Sequence, residues 1–110
     1  MDSAGQLDRR VQFFRATVTD DGFSSVETFT AHGQSVPAHR ADVSDGEKAR
    51  AGAVEAILMT RFRVRWSAFT AGITPKDRLT SEGTTFEIVG IKEAGGRKRF
   101  LEITCAARAE

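Results

Sequence analysis

Thr60-Arg61-Phe62-Arg63-Val64-Arg65-Trp66 alternates strictly between apolar and basic side chains. With a side-chain period of two, Phe62, Val64 and Trp66 share one face and the three arginines share the other. That is the pattern of a half-buried strand. Wound at 3.6 residues per turn, the same residues would scatter both characters around a helix axis. The segment is therefore read as a strand that commits Phe62 and Trp66 to a core.

Downstream, Asp77-Arg78-Leu79-Thr80 runs through Ser81-Glu82-Gly83-Thr84 into Thr85-Phe86-Glu87-Ile88-Val89-Gly90-Ile91. The Glu-Gly pair supplies the positive φ that a tight hairpin turn needs. The run from Phe86 to Ile91 is apolar on both faces and reads as a central strand, with a bulge or close backbone approach at Gly90. Gly95-Gly96 makes the next turn, and Phe100 to Cys105 returns with Leu101, Ile103 and Cys105 inward. The C-terminal half is thus expected to be a β-meander.

Upstream the pattern is less regular. Between Leu7 and Val18 the apolar face changes after Phe13, which fits one strand with a bulge or with both faces partly buried. Thr19-Asp20-Asp21-Gly22 reads as a turn, Val26 to Ala31 as a short strand around Phe29, and Val36 to Val43 as another. Pro37 places that last strand at an edge or at its own start. From Asp42 to Glu55 the residues become small, polar and charged. Ser44 and Glu47 have capping-box spacing for a short helix, but Gly46 and Gly52 weaken it and no apolar stripe would dock it. A long loop or short helix around residues 44–56 is expected, and loops of that length tend to be functional.

These elements imply a mostly-β chain, a small antiparallel barrel or sandwich, with the barrel the expected form. The 110 residues allow one core and read as a single domain over 1–110. No apolar run is long enough for a membrane-spanning helix, and the N-terminus lacks the order of a secretory signal. Cys105 is the single cysteine, so no internal disulfide can form, and synthesis in a reducing cytoplasm is expected. Net charge is only +1, from 16 basic and 15 acidic residues, which argues weakly against a general nucleic-acid binder.

Reactive constellations are missing from the sequence. There is no Gly-rich phosphate loop and no nucleophile elbow. His32 and His39 have no partner at metal-ligand spacing and read as ordinary strand or surface residues. Cys105 reads as a small core residue rather than a catalytic thiol, and Asp20-Asp21 as turn caps. No catalytic, cofactor-binding or metal-binding residues are assigned, and the chain reads as a structural subunit rather than an enzyme. Two basic features stand out: the Arg61, Arg63, Arg65 face and the Arg97-Lys98-Arg99 turn. Each is either a contact surface for DNA or an acidic partner, or simply a solvated face and hairpin tip. No exposed aromatic interleaves with them to stack single-stranded bases.

The succession of motifs carries further information. Gly5-Gln6-Leu7-Asp8-Arg9-Arg10-Val11 opens the chain, followed by the Asp20-Asp21-Gly22-Phe23 turn, Val36-Pro37-Ala38 and Phe62-Arg63-Val64-Arg65-Trp66. Ile73-Thr74-Pro75-Lys76-Asp77-Arg78-Leu79, Gly83 to Ile91 and Leu101 to Cys105 close it. In order and spacing this resembles the phage head–tail joining proteins, the head-closure or stopper subunits of tailed-phage necks and their gene-transfer-agent relatives, over Gly5 to about Ala107. Trp66 departs from the pattern, standing where the family more often has Tyr.

The resemblance implies a β-barrel subunit in a homo-oligomeric ring, a hexamer or dodecamer. That ring would lie in the particle neck, below the portal or adaptor and above the tail terminator. It would pass DNA through its centre in non-specific contact, with no cofactor and no membrane. It also implies a loop facing the lumen, and by position Ser44 to Ala56 is the candidate, with Ser44, Asp45, Gly46, Glu47, Lys48, Arg50 and Gly52. The alternatives are a tail terminator or adaptor ring protein, or a nucleic-acid-binding barrel of the OB or SH3-like type. The adaptors are mainly helical, which a β-rich chain does not fit.

Overall fold

In the computed structural model, which describes residues 7–43 and 59–108, the arginine-striped segment is a strand. Strand β3 (Met59–Arg65) buries Thr60, Phe62 and Val64 completely and turns its arginines outward. Trp66 lies one residue past its end and is half-buried against the core.

The C-terminal meander forms as expected from β4 (Arg78–Ser81), β5 (Thr84–Ala94) and β6 (Phe100–Ala107). Glu82 and Gly83 take φ of 52° and 82°, the paired positive values of a two-residue hairpin loop. The register of β5 against β6 slips between Ile88 and Gly90, which is the expected bulge. One detail is corrected. Phe86 and Ile88 are buried but Val89 is 58% exposed, because β5 has one face toward the interior and the other toward solvent.

The N-terminal half departs further from expectation. The two short strands expected over Val26–Ala31 and Val36–Val43 are one strand, β2 (Ser25–Asp42), paired along β1 (Arg9–Asp20). Val11 pairs with Val36 but Phe13 pairs with His32, so β2 carries two extra residues at a bulge around Gly33. The Gln12 side-chain amide donates to the carbonyls of Phe13 and Gly33, each at 3.0 Å, which ties β1 to β2 at the bulge. Gly33 has φ +70°. The bulge absorbs the break in pattern that reads in sequence as a gap between strands. Pro37 is not a strand start but does sit at an edge position: it pairs with Arg10 on one side only, one residue before β2 meets β3 at Ala38–Val64.

The strands close in the order β1-β2-β3-β6-β5-β4 as an antiparallel barrel. Closure is brief, three pairs between Gln12–Phe14 and Arg78–Thr80. Inside, Phe13, Phe62, Phe86, Leu79 and Ile103 are fully buried. Phe62 and Phe86 meet edge-to-face, with ring centroids 5.3 Å apart. Cys105 sits in this core, and burial pushes its thiol pKa up to about 12. Its expected behaviour is therefore inert: native protein should resist maleimide labelling at pH 7, and unfolded protein should label once per chain. Rapid labelling of the native state would contradict that burial.

Strand directions divide the barrel into two unlike ends. One end holds the Glu82-Gly83 turn, the start of β1, the end of β6, and the meeting of Val43 with Met59 through an N–H···O bond of 3.1 Å. The other end holds the Gly95–Arg99 turn and the Ser67–Asp77 connection, which includes a 3-10 turn at Thr70–Gly72. From this second end the β1–β2 hairpin continues outward beyond its last barrel pairings.

Candidate functional site

The exposed features concentrate at the second end. β1 last pairs with β4 at Phe14–Arg78, and β2 first pairs with β3 at Ala38–Val64. Between these limits Arg15–Asp20 and Ser25–Thr30 pair only with each other, as a two-stranded arm. At about 3.3 Å per residue, six residues project roughly 20 Å, in keeping with a described body of 51 × 36 × 25 Å. The tip is closed by carboxylates, as the sequence implies. Asp20 accepts from Gly22 N–H at 2.8 Å, and Asp21 accepts from Phe23 and Ser24 N–H at 2.9 Å. Those backbone donors hold the Asp21 carboxyl below its usual pKa.

At the root, Arg15 fixes the arm to the barrel. Its guanidinium donates to both oxygens of the buried Asp77, at 3.0 and 2.9 Å, and to Gly72 O at 2.8 Å. Asp77 also accepts from Thr74 N–H at 2.9 Å. Burial pushes the Asp77 pKa up, but the Arg15 hydrogen bonds, the Thr74 N–H and the Arg15 charge outweigh it, so the net shift is down. A folded-state pKa below the unfolded value contributes stability that is present above about pH 4 and is lost as pH falls through the folded pKa. In Asp77→Asn that acid-side loss should flatten, with unfolding free energy at pH 7 lower by about 1–3 kcal/mol. Equal pH slopes in the two proteins would show that Asp77 does not carry the effect.

The basic residues singled out from sequence separate into two groups. Arg65 pairs opposite Phe100, so it stands at the second end beside the exposed Arg97, Lys98 and Arg99. Lys98 Nζ lies 5.2 Å from the centre of the Trp66 ring, and Trp66 N–H donates to Arg99 O. Arg61 and Arg63 instead flank Glu102 on the barrel's side, where Arg63 and Lys92 approach its carboxylate at 3.5 and 3.4 Å. With His39 and Ala41 they line a shallow depression of about 200 Å³. The arginine face is therefore partly neutralised by a carboxylate, while the turn is open. Among the described residues no group of His, Cys, Asp and Glu could hold a metal ion. No described helix is long and apolar enough to cross a membrane.

The candidate lumen residues Ser44, Asp45, Gly46, Glu47, Lys48, Arg50 and Gly52 lie outside the described residues. What sequence reading missed is the arm. Val18, Phe23 and Val26 are 66%, 98% and 51% exposed, on a segment that reads in sequence as the end of one strand, a turn and a short second strand. The available signal was a valine–threonine alternation flanking an Asp-Asp-Gly-Phe turn, with no third strand to cover its apolar side chains.

Comparison with known proteins agrees with the motif order. A Shigella flexneri 2a protein whose structure was determined in solution is 26% identical, with a TM-score of 0.76 and 99% of each chain covered. A chain from the virion of a native gene transfer agent particle shares the fold at 22% identity, with a TM-score of 0.64 over 90% of this chain and 92% of that one. No curated protein matches. The model of the phage head completion proteins matches residues 2–108, and this chain belongs to that family.

Proposed function

We propose that the chain is a neck subunit that assembles as a ring of six or twelve copies beneath the portal or adaptor. In that position it closes the filled head, retains the DNA and receives the tail terminator. The observation that carries this reading is the two-ended barrel. One end gathers Val43 and Met59, between which the Ser44–Ala56 segment falls in sequence, within hydrogen-bonding distance. The other bears the arm and the open basic turn, so the subunit offers different surfaces along its axis, as a part placed between two unlike neighbours requires. The Ser44–Ala56 segment faces the lumen in this reading and contacts DNA without sequence preference. A net charge of +1 suits a channel through which DNA must slide, since dense cationic contacts would hold it by counterion release.

The test adds purified protein to DNA-filled, tailless particles and images the portal vertex by electron microscopy. A new ring with improved DNA retention is expected. A variant with residues 44–56 replaced by a short Gly-Ser linker should still form the ring yet lose retention. Unchanged retention in that variant would remove the lumen role from this segment. No ring, together with tight and salt-sensitive binding of the free protein to short DNA, would favour the nucleic-acid barrel instead, through Arg65 and the Arg97–Arg99 turn.

A further inference from the structure

We propose that the β1–β2 arm of one copy docks on the basic Gly95–Arg99 turn and Trp66 of the next copy, a head-to-tail contact between identical chains. The inference deepens the ring reading and rests on it. Four observations lead there. First, a two-stranded ribbon without a third strand is marginal in water, and this one leaves Val18 and Phe23 uncovered. Second, beyond its root the arm is acidic: Arg15 is paired with Asp77, and residues 16–30 contain Asp20, Asp21 and Glu27 and no lysine or arginine. Third, Arg65, Arg97, Lys98 and Arg99 form a cluster of the opposite sign at the same barrel end, all exposed. A chain of net charge +1 thus presents two complementary patches of its own.

The fourth observation is chemical. This protein already places a guanidinium over a phenyl ring, Arg78 over Phe29 at 3.7 Å. Phe23, at the acidic tip, is the matching ring for Arg97 or Arg99 of a neighbour, with the half-buried Trp66 beneath Lys98 as an apolar floor. A reach of roughly 20 Å suffices to cross a boundary between bodies 25–36 Å wide in their shorter dimensions. Because the arm and the turn are different patches, the contact can repeat head to tail and close into a ring, whereas a reciprocal exchange between two copies would stop at a dimer.

Cross-linking with a short bismaleimide tests this on full-length protein, since the buried Cys105 thiol leaves engineered cysteines as the only reactive ones. Ser24→Cys marks the tip and Arg97→Cys marks the turn. Mixed single variants should cross-link to each other at least tenfold more than either does to itself. The double variant should give a ladder that ends at the ring number, and yield should fall with added salt. Phe23→Ser in the double variant should lower the yield about tenfold, the loss expected of an aromatic anchor.

The reaction is run on particle-bound rings and in concentrated solution without particles. Rings seen by microscopy without the mixed cross-link would overturn the arm contact and leave the neck reading standing. The cross-link in solution, with no ring on particles, would support the contact and count against the neck reading. Equal self- and mixed cross-linking would overturn the head-to-tail geometry.

Discussion

Phe62→Ala is expected to lower the unfolding free energy by about 3–5 kcal/mol, a large share of the 5–15 kcal/mol typical of a domain. The side chain is fully buried at the middle of β3 and meets Phe86 edge-to-face across the barrel. Arg40, the partner of Phe62 across β2 and β3, also approaches Phe86, 5.9 Å from its ring centre. Truncation removes the transfer free energy of a phenyl ring and leaves a void. The wall of the void consists of strands hydrogen-bonded on both sides, so it cannot collapse to fill the space.

The neighbouring residue supplies the control. Arg61 points outward, 35% exposed and 3.9 Å from Glu102. Arg61→Ala should cost no more than about 1 kcal/mol, the range of surface ion pairs. Urea titration reads both effects as shifts in midpoint at unchanged slope. A loss below 1 kcal/mol for Phe62→Ala, or a similar loss at the two positions, would mean that alternation along this strand does not report its burial.

That alternation explains how much of the fold could be read beforehand. Where a strand has one buried face and regular register, period two in the sequence translates directly into position, as at Phe62 and Val64 or Leu101, Ile103 and Cys105. Local turn chemistry was equally legible: Glu82-Gly83, Gly90 and the Asp20-Asp21 caps act through their own backbone, and nothing distant decides them. In the N-terminal half the register break in β1 and the Asp20-Asp21 turn read correctly, but β2 did not. A bulge of two residues shifts the phase of β2 partway along, so one strand of 18 residues reads as two. The arm failed for another reason. Its strands extend beyond any third strand, and a single sequence does not say where lateral pairing ends.

The site shows the same division. Sequence placed all six basic residues on strand faces or turns, but only the register of β3 with β6 separates Arg65 from Arg61 and Arg63. Pairing Arg63 with Glu102, 39 positions away, is a fact of the long-range β3–β6 pairing rather than of any local motif.

Gly33→Ala is the second substitution with a large expected effect, about 2–5 kcal/mol of lost stability. Two costs combine. A φ of +70° is the left-handed region, which costs a residue with a Cβ roughly 1–2 kcal/mol. A Cβ built at Gly33 would also lie 2.5 Å from Cε1 and Cζ of the Phe69 ring, far inside van der Waals contact. Phe69 cannot simply swing away, since it packs edge-on against the fully buried Phe13 at 6.0 Å and lies over His32 at 5.2 Å. Displacing it forces overpacking or strain worth a further 1–3 kcal/mol.

The two costs separate in a double-mutant cycle. Phe69→Ala should by itself destabilise, because it opens the barrel end beneath the arm. If ring contact dominates, adding Gly33→Ala to it should cost only the backbone term, with a coupling of at least 1 kcal/mol. Additive losses would assign the whole effect to φ and leave Phe69 free to move. The difference bears on function, because Gly33 is where β2 turns from the barrel into the arm. If Phe69 pins that bend, Gly33→Ala should also lower arm cross-linking in protein that remains folded. If only the backbone is strained, the arm should keep its direction and cross-link as before.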